Sequence, residues 1–475
     1  MKSNLFLFGL LILLVGCENK TEKEHYSVLK GATIFIGNGS RIAKGTIVIK
    51  EGVITAIGDE NTTIPEGADI IDVTGKYITP GLIDAHVHFM QTGFFDARPD
   101  QLDIRDSIDY NQLQARLKDD PDRYYEAYLR SGVTAVYDVG GFNWTLGLQQ
   151  SAEKNLNAPH VAASGMLLTP ASKEQTAISN TATDSVFVNL TSPEIGRRTV
   201  RLNDSLGATG IKIHQLFLQD TVFMKSMLAV QDEIAKTNNK MIVHATTLEQ
   251  AKQALRFNAK ILVHSVDDYP IDDEFVRLAK EMNVIYCPTL IVLKGYLRAF
   301  ESLQTDFILN DPNNAVDADT KLLMQSASSF FKFNPHGENF EVFLGNFEGY
   351  VNSIQKTMFD NLKRVHEEGI TVAVSTDAGN PGTLYGISIY DEMEAMQAAG
   401  IEAEDIIQMA TKNGAMAMER LNDFGTLETG KMADLIVLDS DPSTNISNMR
   451  SITHVMRGGF LRPVNEPFQK RAAIK

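Results

Sequence analysis

His86 and His88 stand one residue apart at the end of the apolar run Tyr77-Ile78-Thr79-Pro80-Gly81-Leu82-Ile83-Asp84-Ala85. Along a strand, side chains alternate faces, so residues i and i+2 point the same way and both imidazoles can reach one metal ion. Four more residues of ligand type fall at the ends of short apolar runs. They are Lys212 in Gly210-Ile211-Lys212-Ile213, His244 after Met241-Ile242-Val243, His264 after Ile261-Leu262-Val263, and Asp377 after Val372-Ala373-Val374-Ser375-Thr376. Imidazoles and a carboxylate gathered on a divalent ion make a hydrolytic centre, because the ion acidifies water and polarises a carbonyl. Lys212, between Ile211 and Ile213, has an awkward address for a solvated lysine.

Bringing these residues together requires strands that end at one place. Strand patterns at 82–88, 133–139, 160–167, 209–214, 240–245, 260–265, 284–290 and 370–377 alternate with helical stretches. Eight such strands predict an α/β fold, a (β/α)₈ TIM-type barrel with the metal site at its C-terminal mouth. Short β-type runs broken by turns fill 27–79 and return in 425–463, and the two ends are expected to pair into a small β-sandwich. The barrel itself is placed at 80–424 and a tail at 464–475. Residues 294–350 form an oversized connection rich in aromatics, including Phe330, Phe340, Phe343, Phe347 and Tyr350, suited equally to a lid and to a small core of its own.

The chain has 475 residues, 44 Lys plus Arg and 60 Asp plus Glu, a formal charge of −16 that argues against a nucleic-acid partner. Residues 1–17 read differently from the rest. Lys2, the apolar stretch Leu5 to Val15 and Leu14-Val15-Gly16-Cys17 resemble a bacterial lipoprotein signal, with Cys17 the lipidated residue. The polar segment 18–26 would then be a tether. This predicts an exported, lipid-anchored protein facing the periplasm or the cell surface, touching the membrane through its anchor only. Homo-oligomerisation is left open.

Paired histidines on the first strand, Lys on the fourth, His on the fifth and sixth and Asp on the eighth resemble the amidohydrolase superfamily, as do Pro80 to His88, Ser375-Thr376-Asp377-Ala378-Gly379 and Gly425 to Leu438. The resemblance is to its dipeptidase- and prolidase-like and imidazolonepropionase-related branch with a binuclear site. It implies His86, His88 and Asp377 on one divalent ion and His244 and His264 on the other, Zn²⁺ being the expected metal. Lys212 would bridge them as a carboxylated lysine. It further implies hydrolysis of a small amide or peptide-like substrate by metal-activated hydroxide, with Asp377, Lys212 and His264 in catalysis. Where many relatives carry Arg-Asp, this chain has Tyr137-Asp138, which leaves Asp138 a supporting role or, with His214, a place as a substrate candidate. His214, on the same strand face as Lys212, is a substrate-contact candidate, with plain packing as its other reading. Two alternatives stand beside this one. A mononuclear deaminase or imidazolonepropionase-like cyclic amidohydrolase would use His86, His88, His244 and Asp377 on one ion. An inactive ligand-binding surface lipoprotein belongs to another class, and the intact set of ligand-type residues counts against it.

Overall fold

The computed structural model describes residues 25–96, 102–177, 179–181, 183–466 and 468. The signal reading at 1–17 with Cys17, most of the tether and most of the tail lie outside the described residues.

Eight parallel strands occur where the alternation predicts them: β1 (Leu82–Val87), β2 (Val133–Asp138), β3 (His160–Ala163), β4 (Gly210–Ile213), β5 (Lys240–His244), β6 (Ile261–Val263), β7 (Ile285–Cys287) and β8 (Thr371–Val372). Several are shorter than the apolar runs that encode them. The third run, expected as one strand over 160–167, breaks after Ala163 and resumes as Leu167–Thr169. Backbone hydrogen bonds close the ring at the two gaps in the ladder. Thr209 N–H donates to Ala163 O and His214 N–H to Leu168 O, at 2.9 and 2.8 Å. Ala85 N–H donates to Val374 O and Asp377 N–H to His86 O, at 3.0 and 2.8 Å.

The period-2 pattern sorts the side chains. Ile83, Ala85, Ala135, Tyr137, Ala162, Ile242, Ile261, Val263, Ile285, Cys287 and Ala373 pack on one another as the barrel interior. Ile211, Ile213, Met241, Val243, Leu262, Tyr286 and Val372 belong to the larger core shared with the helices. The inner apolar layers fill the lower barrel and leave the mouth to polar residues.

The chain ends form one mixed eight-stranded sheet. Strands from Tyr26–Phe35 to Tyr77–Pro80 join Leu435–Leu438, Ile452–Arg457 and Phe460–Pro463, with Tyr77–Pro80 pairing antiparallel to Leu435–Leu438. Leu29, Ile34, Ile47 and Ile78 from the front pack with Leu435, Val437 and Met456 from the back, giving this layer its own core. It is tied to the barrel by a buried polar cluster. His160, at the start of β3, lies 2.7 Å from Glu153 and 2.8 Å from Asp434, its ring stacks on Phe424, and Arg457 completes the group.

The 294–350 connection packs into a core and also contributes to the cavity wall. Phe300, Phe330 and Phe340 join Phe94 and Phe95 in a satellite core, with Phe343 and Phe347 packed against it. Tyr296 and Tyr350, near the connection's two ends, line the cavity at the barrel mouth.

Candidate metal centre

Three ligand atoms converge at the mouth. His86 Nε2 and His88 Nε2 are 3.2 Å apart, and Asp377 Oδ1 lies 3.3 and 3.1 Å from them. Donors in a tetrahedral shell with bonds of ~2.1 Å are separated by about 3.4 Å, so this triangle has the dimensions of one face of a metal site. The set fits a cation on chemical grounds too. Asp377 Oδ1, the oxygen that faces both Nε2 atoms, is buried and has no hydrogen-bond partner among the described residues, which costs free energy unless a cation takes its lone pair.

The fifth and sixth strands bring the other two imidazoles. The ring of His264 is 5.1 Å from that of His86 and 4.3 Å from that of His244. Strict alternation would send His264 to the opposite face from Val263, which packs inside the barrel. Instead its backbone turns left-handed, with φ 75°, and carries the imidazole into the mouth. Asp377, with φ 59°, also lies in this region. Strained backbone of this kind persists where surrounding contacts over-determine it. At His264 one such contact is between Nδ1 and Thr289 Oγ1, at 2.7 Å. At Asp377 it is the bond from its own N–H to His86 O.

Lys212 pairs in register with Ile242 and points inward, almost fully buried at 2% exposure. Burial lowers its ammonium pKa to about 8 against the opposing attraction of Asp377. Burial, followed by the Lys212 charge at His86 and by neighbouring imidazole and Lys212 charges at His244 and His264, holds these three histidines well below their usual range. All three are therefore neutral at physiological pH, the form that donates a lone pair to a metal. The Lys212 side chain lines the same cavity as His88, His244, His264 and Asp377.

The remaining candidates divide. Asp138 is buried and sits behind the site: its Oδ1 accepts from Gly140 N–H at 3.1 Å, while Gly140 O lies 2.7 Å from His88 Nδ1. Burial raises its carboxyl to about 6, opposed by His88. Asp138 thus orients a histidine through a shared residue and does not line the cavity. His214 does line it, its ring 5.5 Å from His244 and 5.0 Å from Phe187. The cavity has a volume of about 600 Å³ and contains His88, Lys212, His244, His264 and Asp377 in its wall.

Two supports escaped the sequence reading. Asp84, inside the motif itself, accepts from Thr376 N–H at 3.0 Å and Thr376 Oγ1–H at 2.5 Å, and so braces the residue before Asp377. Its signal was the Asp two residues before His86. Thr289, which holds His264, follows an ordinary Cys-Pro pair and gave none.

The amidohydrolase family model matches residues 77–461. The chain belongs to the amidohydrolase family. This amidohydrolase is a metal-dependent hydrolase acting on carbon–nitrogen bonds. Over 458 residues it is 22% identical to an imidazolonepropionase of Brevibacillus brevis, with 88% of each chain covered. Among solved structures it is similar to a Xaa-Pro dipeptidase with bound methionine in the active site, with TM-score 0.69 and 23% identity over 92% of this chain and 100% of that one. It is also similar to an A. niger ochratoxinase, with TM-score 0.67 and 19% identity over 92% and 95%. At these identities the structural likenesses establish the amidohydrolase barrel.

Proposed function

We propose that this amidohydrolase cleaves small amide or dipeptide-like substrates at a binuclear centre. His86, His88 and Asp377 hold one divalent ion, His244 and His264 the other, and carboxylated Lys212 joins them, with Zn²⁺ the expected metal. The observation that carries this reading is the buried amine of Lys212, which lines the same cavity as the imidazoles and the Asp377 carboxylate gathered at the mouth.

Bound ions of this kind lower the pKa of water to ~7 and polarise the scissile carbonyl. The chain's own residues do the rest. Lys212 Nζ, neutral in part near pH 8, adds to CO₂ with formation of an N–C bond and loss of one proton, which turns a repelling cation into an anionic oxygen donor. Asp377 takes the proton of the attacking water on its carboxylate and passes it to the leaving nitrogen. His264 is held in orientation by Thr289, and His88 by Gly140 O. His214 and Phe187 offer a wall against which a substrate group can rest.

The imidazolonepropionase relative, matched over 88% of the chain, favours a second reading. There one ion sits on His86, His88, His244 and Asp377, and His264 polarises a cyclic amide. Metal stoichiometry separates the two.

The export reading is likewise a proposal, supported by the signal-like residues ending at Cys17. No helix among the described residues is long and apolar enough to cross a membrane.

A screen of dipeptides and cyclic amides against Zn²⁺-loaded protein lacking residues 1–17 tests the activity. Hydrolysis that a chelator abolishes and Zn²⁺ restores is the expected result. Cleavage that survives complete metal removal would overturn the proposal.

A further inference from the structure

Asp267 lies three residues beyond His264, on the segment that leaves β6 at the barrel mouth. Its N–H donates to Thr246 O at 2.9 Å, which pins the segment against the residues following β5. The adjacent carboxylate, Asp268, is already engaged: it accepts from Leu248 N–H at 2.8 Å and from Tyr269 N–H at 2.9 Å. Asp267 is turned the other way. It is partly buried and lines the active cavity together with Thr246, Tyr350 and Met358.

No side-chain cation among the described residues pairs with this carboxylate. The groups that act on it are burial, the like charge of Asp268, and its own amide. Burial first, and then Asp268, raise its carboxyl to about 6 against the opposing pull of its own amide, so it still carries its charge above neutrality with no side-chain cation to offset the cost. Burial, and then the Asp267 charge, disfavour ionisation of the Tyr350 hydroxyl across the same cavity. A carboxylate beside an exposed tyrosine ring, inside a substrate cavity, forms the two halves of a cation receptor: an ion-pair acceptor and a π face.

We propose that Asp267 is a specificity-determining residue that selects substrates bearing a cationic group, an ammonium or a guanidinium, seated between its carboxylate and Tyr350. The inference rests on the reading of this cavity as the active site. It goes further in naming the charge of the substrate.

The test uses binding, so that it does not depend on turnover. Zn²⁺-loaded full-length protein is titrated calorimetrically at pH 7.5 (about 1.5 units above the carboxyl's pKa of about 6) with three probes. Nα-acetyl-norleucinamide is neutral, norleucinamide carries an α-ammonium, and Nα-acetyl-lysinamide carries a side-chain ammonium. At least one cationic probe should bind about ten- to a hundredfold more tightly than the neutral one, the range of a charge-assisted hydrogen bond. In Asp267→Asn that ratio should fall close to one, and Asp267→Glu should keep most of it. Equal affinities in the native protein, or a ratio that survives Asp267→Asn, overturn the proposal. Hydrolysis of neutral amides is scored separately, so failure of the hydrolase reading shows there and leaves the binding ratio to judge Asp267.

Discussion

In the proposed mechanism Asp377 combines a ligand oxygen with a proton carrier, and one substitution separates the two. Asp377→Asn keeps the shape and the backbone bond to His86 O, but an amide neither accepts the water proton nor returns it. Turnover should fall ~10²–10⁴-fold with folding nearly intact. A near-normal rate at full metal content would remove Asp377 from the chemistry. Thr289 makes a subtler case. Thr289→Val leaves His264 Nδ1 without its 2.7 Å partner, and loss of a group that orients a metal-binding histidine typically costs 10–100-fold in metal affinity, roughly. Competitive chelator titration reads this directly, and an unchanged affinity would mean that the backbone alone fixes the ring. At this scale the sequence was legible where a residue type closed an apolar run, as at His86, His88, Lys212, His244, His264 and Asp377. Thr289 gave no signal, and that of Asp84 was only its place in the motif, because their meaning lies in contacts made across the fold. Asp84 meets Thr376 from 292 positions away.

The eight barrel strands were readable because each buries both faces, which leaves a nearly continuous apolar run between helical patterns. What alternation cannot express is a backbone that leaves its period. The left-handed turn at His264 and the break after Ala163 both follow from tertiary contacts. The join between barrel and terminal sheet is of the same kind. His160, at the start of β3 and away from the mouth, is the centre of a buried polar cluster. Burial alone would raise the Asp434 carboxyl. Arg457 and His160 outweigh it and hold that carboxyl down at about 2. At Glu153 burial is likewise outweighed by His160 and Arg420, again to about 2. Both folded values lie below the ordinary carboxylate range, so their stabilisation is fully present above about pH 4 and disappears as pH falls through about 2. Asp434→Asn should therefore cost ~3 kcal/mol at pH 7 by chemical denaturation, with the gap to native protein closing towards pH 2. A gap independent of pH would show that packing, and not charge, makes the join.

At the scale of the molecule, the chain places a polar mouth over an apolar lower barrel and frames the mouth with the 294–350 connection. The aromatics of that stretch gave no decision between lid and core because an aromatic residue type suits either, and most of them pack in the satellite core while Tyr296 and Tyr350 reach the cavity. The outcome depends on Phe94 and Phe95, which arrive from the loop after β1. If the lipoprotein reading holds, Cys17→Ser should release the protein from membranes on fractionation while leaving its hydrolytic rate unchanged, since the barrel begins well beyond the tether. A Cys17→Ser chain that still pellets with membranes would contradict it. The central claim concerns Lys212, the one residue whose burial and position make sense of five other ligands at once. Metal analysis of native protein and Lys212→Ala, each paired with a rate measurement, tests it most directly. Two divalent ions per native chain are expected, with the loss of at least one in Lys212→Ala and nearly complete loss of activity that short carboxylic acids partly restore. One tightly bound ion in the native enzyme, with Lys212→Ala fully active, would contradict it.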